Sequence, residues 1–134
     1  MSEKAARYVR FVTEVIDDDS GHRRGIFQAV SDALADIETP QAHCEVLRST
    51  YDWFNANLAP PERFARSKRT TAAPQAISWF KHDAAEHIAH MRSFCNVLEE
   101  CGVPTRMITT GRPGYIVYED AHQVVAVPFR TTCT

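Results

Sequence analysis

The chain opens with an alternation of apolar and polar positions that predicts a β-strand. Residues 6–16 read ARYVRFVTEVI, so that every second position from Val9 onwards is apolar or β-branched. Alternation with a period of two, rich in β-branched and aromatic residues, is typical of a half-buried strand. The polar run DDDSG at 17–21 then ends this first strand.

Apolar residues next recur with the period of an α-helix in two consecutive segments. Apolar positions from Ile26 onwards predict a first helix over about 22–37. Thr39 and Pro40 are typical of an N-cap and a first helical residue, so a second helix should begin there and end near Asn57. Its apolar stripe comprises Cys44, Leu47, Tyr51, Phe54 and Leu58.

A third helix follows a short apolar strand at 76–81, AISWFK. Asp83 and Glu86 have the spacing of a capping arrangement, in which Asp83 accepts a free amide of the first turn and Glu86 accepts the N–H of the cap residue itself. The helix should therefore start near Ala84. Gly102 is a suitable residue to end it, because glycine adopts the left-handed conformation that follows many helices.

The last third of the chain predicts three strands. TRMITT at 105–110 and YIVYE at 115–119 flank the turn sequence GRPG, and QVVAVPF at 123–129 follows the short turn DAH. This spacing favours a three-stranded meander. Pro128 has no N–H to donate to a sheet, so the last strand should end there or lie at an edge.

These segments give the order β-α-α-β-α-β-β-β and predict one α+β domain over 1–134. The expected sheet is mixed and largely antiparallel, with about five strands and three helices packed mainly on one face. The segment 58–74, with three prolines and several basic residues, is expected to be a loop inside this domain.

Composition is that of a folded protein. The chain has 134 residues, of which 44% are hydrophobic and 24% charged, and disorder is not expected at these values. The net charge of −2 gives no overall attraction to nucleic acid or to an anionic membrane. No segment has the length and apolarity of a membrane span, and no apolar leader is visible at the start.

Cysteine usage favours a reducing compartment. The four cysteines contain no C-x-x-C pair, and reduced thiols in a cytoplasmic protein are expected. They are Cys44, Cys95, Cys101 and Cys133.

Three segments together resemble a family of small, uncharacterised bacterial proteins. They are DDDSGHRRGIFQA, SWFKHDAAEHIAHM and LEECGVPTRMITTGRPGYIVYEDAHQVVAVPF. The most specific is similar to RPGYIVYED-x-x-QVVA-x-P, here 112–128. The resemblance implies a bacterial protein with one continuous domain, and it brings no activity, cofactor or site residue.

The stretch HDAAEHIAHM at 82–91 raises the question of a histidine site. Imidazoles and carboxylates bind metals and act as general acids and bases, which makes Glu86, His87 and His90 candidate catalytic residues and the two histidines candidate metal ligands. The stretch lacks H-E-x-x-H and no further ligand is specified, so no metal or cofactor is expected. The alternative is a helix start with surface or partly buried histidines.

A basic loop at 62–69 is the candidate nucleic-acid site. Cations interleaved with an aromatic ring can hold a phosphate backbone and stack a base. A solvated loop is the alternative interpretation. The residues are Arg63, Phe64, Arg66, Lys68 and Arg69.

Three further features each have a structural alternative. DDDSGHRRG lacks the alternating ligands of a calcium loop and favours a turn, with Asp19 or Ser20 capping the next helix. The residues Glu119, Asp120 and His122 form a possible acid–base group beside strand-packing tyrosines. Trp79 is expected in the core, or at a partner-binding face if it projects outwards.

The leading functional hypothesis is a non-catalytic binding or regulatory module that binds a protein or associates with itself. The first alternative is a small enzyme or ligand-binding protein that uses the His/Glu cluster in a cleft. The second alternative is a nucleic-acid-associated protein that uses the basic loop.

Overall fold

The computed structural model of the protein describes residues 7–16, 23–58 and 77–129. The chain folds into two compact units, each assembled from separate segments. Met1–Arg10, Leu58–Ala85 and Ile108–Thr134 belong to the first unit, and Phe11–Asn57 and Glu86–Met107 belong to the second. Among the described residues, no helix is both long enough and apolar enough to cross a membrane.

The secondary structure confirms an α+β fold with three helices and a largely antiparallel sheet. The elements are β1 Tyr8–Ile16, β2 Arg23–Gly25, α1 Ile26–Ala35, α2 Gln41–Asn57, β3 Ile77–Lys81, α3 Ala85–Glu100, β4 Thr105–Thr110, β5 Tyr115–Glu119 and β6 Gln123–Val127. The predicted bounds of β4 and β5 are those of the structure.

The strands are hydrogen bonded in the order β2-β1-β3-β6-β5, and β4 pairs with β1 outside this path. The pairings β1–β2, β1–β3, β3–β6 and β5–β6 are antiparallel. The predicted three-stranded meander is therefore wrong for its first strand, and only the hairpin β5–β6 forms. A turn sequence such as GRPG indicates where the chain bends, but tertiary contacts decide which strand becomes the neighbour.

The first unit is built around β3 and β6. Four of the five residues of β6 are buried, because β6 lies between β3 and β5 in the sheet. Trp79 and Phe80 of β3 are also buried. As Pro128 predicts, β6 ends at Val127.

The second unit contains the helices, and aromatic rings from all three of them pack against one another. Phe54 of α2 and Phe94 of α3 stack with ring centroids 5.5 Å apart, and Phe27 of α1 contacts both rings edge-on. Such ring geometry adds about 0.5–1.5 kcal/mol per pair to the burial of the side chains. Leu47 and Leu98 complete this core with no exposed surface.

The first helix is shorter than its apolar period predicts. Gly25 pairs with Val12 of β1, so the segment before Ile26 is a short strand and not the first turn of a helix. Gly25 is the N-cap residue and makes no side-chain capping bond, which corrects the prediction of Asp19 or Ser20. At the other end Ile37 lies beyond the helix and is 95% exposed.

The starts of the other two helices also differ by one residue from their predictions. The carbonyl of Pro40 accepts the N–H of Cys44 at 3.0 Å, so Pro40 occupies the cap position of α2. The Thr39 hydroxyl instead donates to the carbonyl of Ala33 in α1, at 2.7 Å. Helix α3 begins at Ala85, which leaves Ala84 in the cap position predicted for Asp83.

Helix α3 is terminated by Gly102, as predicted. Gly102 has a φ of 89°. Its N–H donates to Glu99 at 3.0 Å, and the N–H of Val103 donates to Leu98 at 2.8 Å. This pair of bonds is the Schellman motif, which satisfies two carbonyls that the last turn would leave free.

Candidate functional site

His87 is a buried histidine whose ring holds the end of a neighbouring helix. The side chain is 4% exposed, and its Nε2 lies 2.9 Å from the carbonyl oxygen of Asn57, the last residue of α2. Because a carbonyl only accepts, Nε2 must carry a proton in this contact. The bond satisfies a carbonyl at the C-terminal end of α2 that has no partner within its own helix.

His90 stacks on a tryptophan of the same unit. The rings of His90 and Trp53 are parallel within 7°, with centroids 3.8 Å apart. The Nδ1 of His90 donates to the carbonyl of Glu86, one turn earlier in α3, at 2.7 Å. The ring of His87 meets the same indole edge-on at 4.8 Å. Trp53 is thus held by two imidazoles.

This arrangement gives both histidines a packing role between α2 and α3. One nitrogen of each ring is committed to a backbone carbonyl, and the exposed Glu86 contributes only its backbone oxygen to the contacts described. Within residues 7–16, 23–58 and 77–129, no three His, Cys, Asp or Glu side chains are placed to hold a metal ion. A catalytic role of Glu86, His87 and His90 stays a prediction.

The other predicted binding residues are those of the basic loop, which the structure does not describe, and Trp79, which it does. Arg63, Phe64, Arg66, Lys68 and Arg69 lie outside the described residues. Trp79 is 1% exposed in the core of the first unit. Its Nε1 has no hydrogen-bond partner in the part of the chain that the structure describes. In this position the indole fills the core and presents no surface to a partner.

Asp120 organises the turn of the β5–β6 hairpin. Its carboxylate accepts the N–H groups of His122 at 2.8 Å and of Gln123 at 3.0 Å, and the Tyr118 hydroxyl at 2.9 Å. The Gln123 side-chain amide donates to it as well, at 3.2 Å. Partial burial acts to raise the pKa of Asp120, but these hydrogen bonds outweigh it and hold the pKa below its ordinary value.

The second carboxylate of the predicted acid–base group is engaged elsewhere. Glu119 forms an ion pair with Lys81 of β3 at 2.6 Å, and the hydrogen bond to Glu119 is the main reason why the pKa of Lys81 is raised. Asp120 thus orders a turn and Glu119 pairs with a lysine, and both are structural roles.

Strand β5 carries the exposed apolar residues of the first unit. Tyr115 is 69% exposed and Ile116 is 45% exposed. Among the described residues, β5 is hydrogen bonded to β6 alone, and no described strand pairs with its other edge. Unpaired edges of this kind can add another strand.

The second unit contains a cavity of about 440 Å³. It lies beside the end of β1, one side of α1 and the connection between α1 and α2. Carboxylates, hydroxyls and one thiol face it together with small apolar side chains. Its polar members are Thr13, Asp32, Asp36, Glu38, Thr39 and Cys101. The sequence did not indicate this site, because its residues come from three separate segments of the chain and form no motif.

Comparison of the chain with protein-family models, with curated proteins and with solved structures finds no match. The functional proposals below therefore rest on the geometry of the described residues.

Proposed function

We propose that this protein is a non-catalytic binding module that associates with itself through the free edge of β5. The observation that supports it is an edge strand with two large, exposed apolar side chains, Tyr115 and Ile116. An edge strand with exposed apolar side chains can add a strand from another chain.

The charges on β5 also suit pairing with a second copy. Glu119 is the only charged residue of the strand, and its ion pair with Lys81 already balances it. The strand contains no lysine or proline, the residues that commonly block an edge. In an antiparallel pair of copies centred on Val117, Glu119 would lie opposite Tyr115, so like charges would not meet.

The size of the edge sets the expected strength. Five residues of strand extend about 17 Å. The register with β6 also shifts between Ile116 and Tyr118, which shortens the regular part of the ladder. A stable dimer buries roughly 1,200–2,000 Å². One short edge buries less surface than such a dimer, and the association is therefore weak and dependent on concentration.

Sedimentation velocity over a range of protein concentrations tests the proposal. The wild-type chain should shift from monomer to dimer as concentration rises. Ile116→Lys places a charge on the edge and should leave the protein monomeric. Ile37→Lys makes the same change at a position that is 95% exposed and remote in sequence from β5, and it should still dimerise.

Two outcomes would count against self-association through β5. A wild-type chain that stays monomeric at every concentration removes self-association itself. A dimer that survives Ile116→Lys, or that Ile37→Lys disrupts equally, places the contact elsewhere. Circular dichroism of both variants should match the wild type, since both positions are exposed.

We also propose that the protein works in the cytoplasm of a bacterium, the origin that its resemblance to small bacterial proteins implies. In support, Cys44, Cys95 and Cys101 are all free thiols. Because Cys44 and Cys95 are buried, the protein should be alkylated in cell lysate under denaturing conditions. Non-reducing mass spectrometry should then find all three cysteines modified, and a disulfide among them would contradict this localisation.

A further inference from the structure

The cavity of the second unit has the size and wall composition of a small-molecule site. Its volume of about 440 Å³ falls within the roughly 300–1,000 Å³ of typical ligand pockets. Ala29 and Ala33 of α1 and Val103 after α3 supply apolar surface. The side chains of Val15 and Pro40 extend that surface. These walls can bury the hydrocarbon part of a ligand.

The charge on the wall is of one sign. Asp32, Asp36 and Glu38 face the cavity, and no lysine or arginine is among its described lining residues. A second depression in the same unit differs, because Arg48 and Asp52 both line it and their charges balance. The cavity between α1 and the connection to α2 is therefore the negative one.

Two of these carboxylates can accept further hydrogen bonds. One oxygen of Asp36 accepts the backbone N–H of Glu38 at 2.9 Å. Within the described chain, neither Asp36 nor Glu38 forms an ion pair with a lysine or arginine. A carboxylate has room for several donors, and each could accept at least one more from a ligand.

The charge of Asp36 also acts on Cys101, another residue that lines the cavity. Burial is the main cause that raises the pKa of the Cys101 thiol, and the charges of Cys44, Glu100 and Asp36 raise it further. A thiolate at Cys101 is disfavoured partly because negative charge is already present there. The same field would favour a positive group in the cavity.

The geometry distinguishes an organic cation from a metal ion. A metal needs several ligand atoms at about 2.0–2.6 Å from one point. No three His, Cys, Asp or Glu side chains of residues 7–16, 23–58 and 77–129 converge in that way. Carboxylates from one segment beside an apolar wall instead match a ligand with a charged head and a hydrocarbon body.

We propose that this cavity binds a small organic cation that has an ammonium or guanidinium group on a short hydrocarbon chain. The cationic head lies against Asp36 and Glu38, and the chain lies against the wall formed by Ala29, Ala33 and Val103. This site does not involve β5 and is independent of self-association.

Isothermal titration calorimetry with the full chain tests the site. The probes are 1,4-diaminobutane and agmatine, with 1,4-butanediol and succinate as neutral and anionic compounds of similar length. The two cations should bind saturably at low salt and lose affinity as sodium chloride is added, while the other two compounds should not bind.

Charge removal at the wall locates the binding. Asp36→Asn combined with Glu38→Gln should weaken binding of both cations at least about tenfold, since each change removes an attraction to a charged donor. Asparagine at position 36 keeps an acceptor for the N–H of Glu38, so the loop should persist. Glu45→Gln, an exposed carboxylate of α2 that does not line the cavity, is the matched control and should bind like the wild type.

A second variant tests the cavity without removing a carboxylate. Val15 lines the cavity and is 49% exposed, so Val15→Lys should fold and place its own ammonium there. It should abolish binding of both cations. Binding by the double variant at wild-type affinity, binding by Val15→Lys at wild-type affinity, or no saturable binding of either cation would each overturn the proposal.

Discussion

Two glycines with positive φ have different surroundings. Gly102 has a φ of 89°, and a Cβ at this position would meet no atom within 4 Å. Gly114 has a φ of 130°, and a Cβ there would overlap the backbone carbonyl of Val127. Both positions strain any other residue, but only Gly114 also lies against a backbone that cannot move without disturbing β6.

The two alanine substitutions should therefore differ in cost. We expect Gly102→Ala to lower the free energy of unfolding by about 1–2 kcal/mol through backbone strain alone. Gly114→Ala should cost about 3 kcal/mol or more, because a steric clash adds to that strain. Urea denaturation of both variants measures the difference, and equal losses would show that the close approach to Val127 is not important.

The turn residue Asp120 should make the hairpin sensitive to acid. Its lowered pKa means that the carboxylate form is favoured by folding. The stabilisation is fully present above the ordinary pKa of 3.8 and is lost as the pH falls through the folded-state value. Stability of the wild type should therefore fall below about pH 4 in part because of this group.

Asp120→Asn and Asp120→Ala separate charge from hydrogen bonding. The alanine variant should lose about 1–3 kcal/mol at neutral pH, because it removes the acceptor of four hydrogen bonds. The asparagine variant keeps one acceptor and should lose less, with a weaker fall of stability in acid. Urea denaturation at pH 7 and at several pH values below 3.8 provides the comparison. Identical acid sensitivity of Asp120→Asn and the wild type would rule out this role.

At the scale of the helices and strands, local patterns located most elements. The alternation in TRMITT and YIVYE predicts β4 and β5 with the observed ends. Gly102 marks the end of α3, because its left-handed conformation is a property of the residue itself. Strand β2 was missed since Arg23–Gly25 contains no strand pattern and is extended only through its pairing with β1.

For the candidate histidine site, too, the sequence predicted the local structure but not the tertiary contacts. The spacing of His87 and His90 places them on one helix, as predicted. Their partners, the Asn57 carbonyl and the Trp53 ring, lie on α2. Local sequence patterns do not predict how two helices pack against each other. The sequence therefore could not distinguish a ligand-binding cluster of histidines from histidines that pack between two helices. The cavity near Asp36 depends on tertiary contacts in the same way.

The stack of His90 on Trp53 should contribute measurable coupling between α2 and α3. A double-mutant cycle with Trp53→Ala and His90→Ala should give a coupling energy of about 0.5–1.5 kcal/mol, the range of aromatic pairs. Chemical denaturation of the wild type, both single variants and the double variant supplies the four values. The pair Trp53 and Ile88, on the same helices, offers a comparison cycle. Additive losses for Trp53 and His90 would mean that the stacked rings do not stabilise each other.

At the scale of the whole molecule, the two units share continuous elements. Strand β1 belongs to the first unit up to Arg10 and to the second from Phe11, and β4 changes unit between Met107 and Ile108. A hydrogen-bonded strand is difficult to unfold over half its length. We therefore expect the units to unfold together, in one cooperative transition.

The two tryptophans can test whether the units unfold together, because Trp79 lies in the first unit and Trp53 in the second. Trp53→Phe leaves Trp79 as the fluorescent reporter, and Trp79→Phe leaves Trp53. In each variant, the urea transition followed by fluorescence should coincide with the transition followed by far-ultraviolet circular dichroism. A fluorescence midpoint that differs from the circular dichroism midpoint in either variant would show that the units unfold separately.

The pairing of β1 with strands far along the chain has a consequence for synthesis on the ribosome. Val9 pairs with Phe80, and β3 in turn pairs with β6, which ends at Val127. A ribosome adds roughly 5–20 residues per second, so β1 waits several seconds outside the exit tunnel before its sheet can close. During that time its apolar residues Val9, Phe11 and Val12 are accessible to any factor that binds nascent chains. Slow translation of the codons that precede β3 would lengthen this exposure, because Val9 has to wait for its partner Phe80.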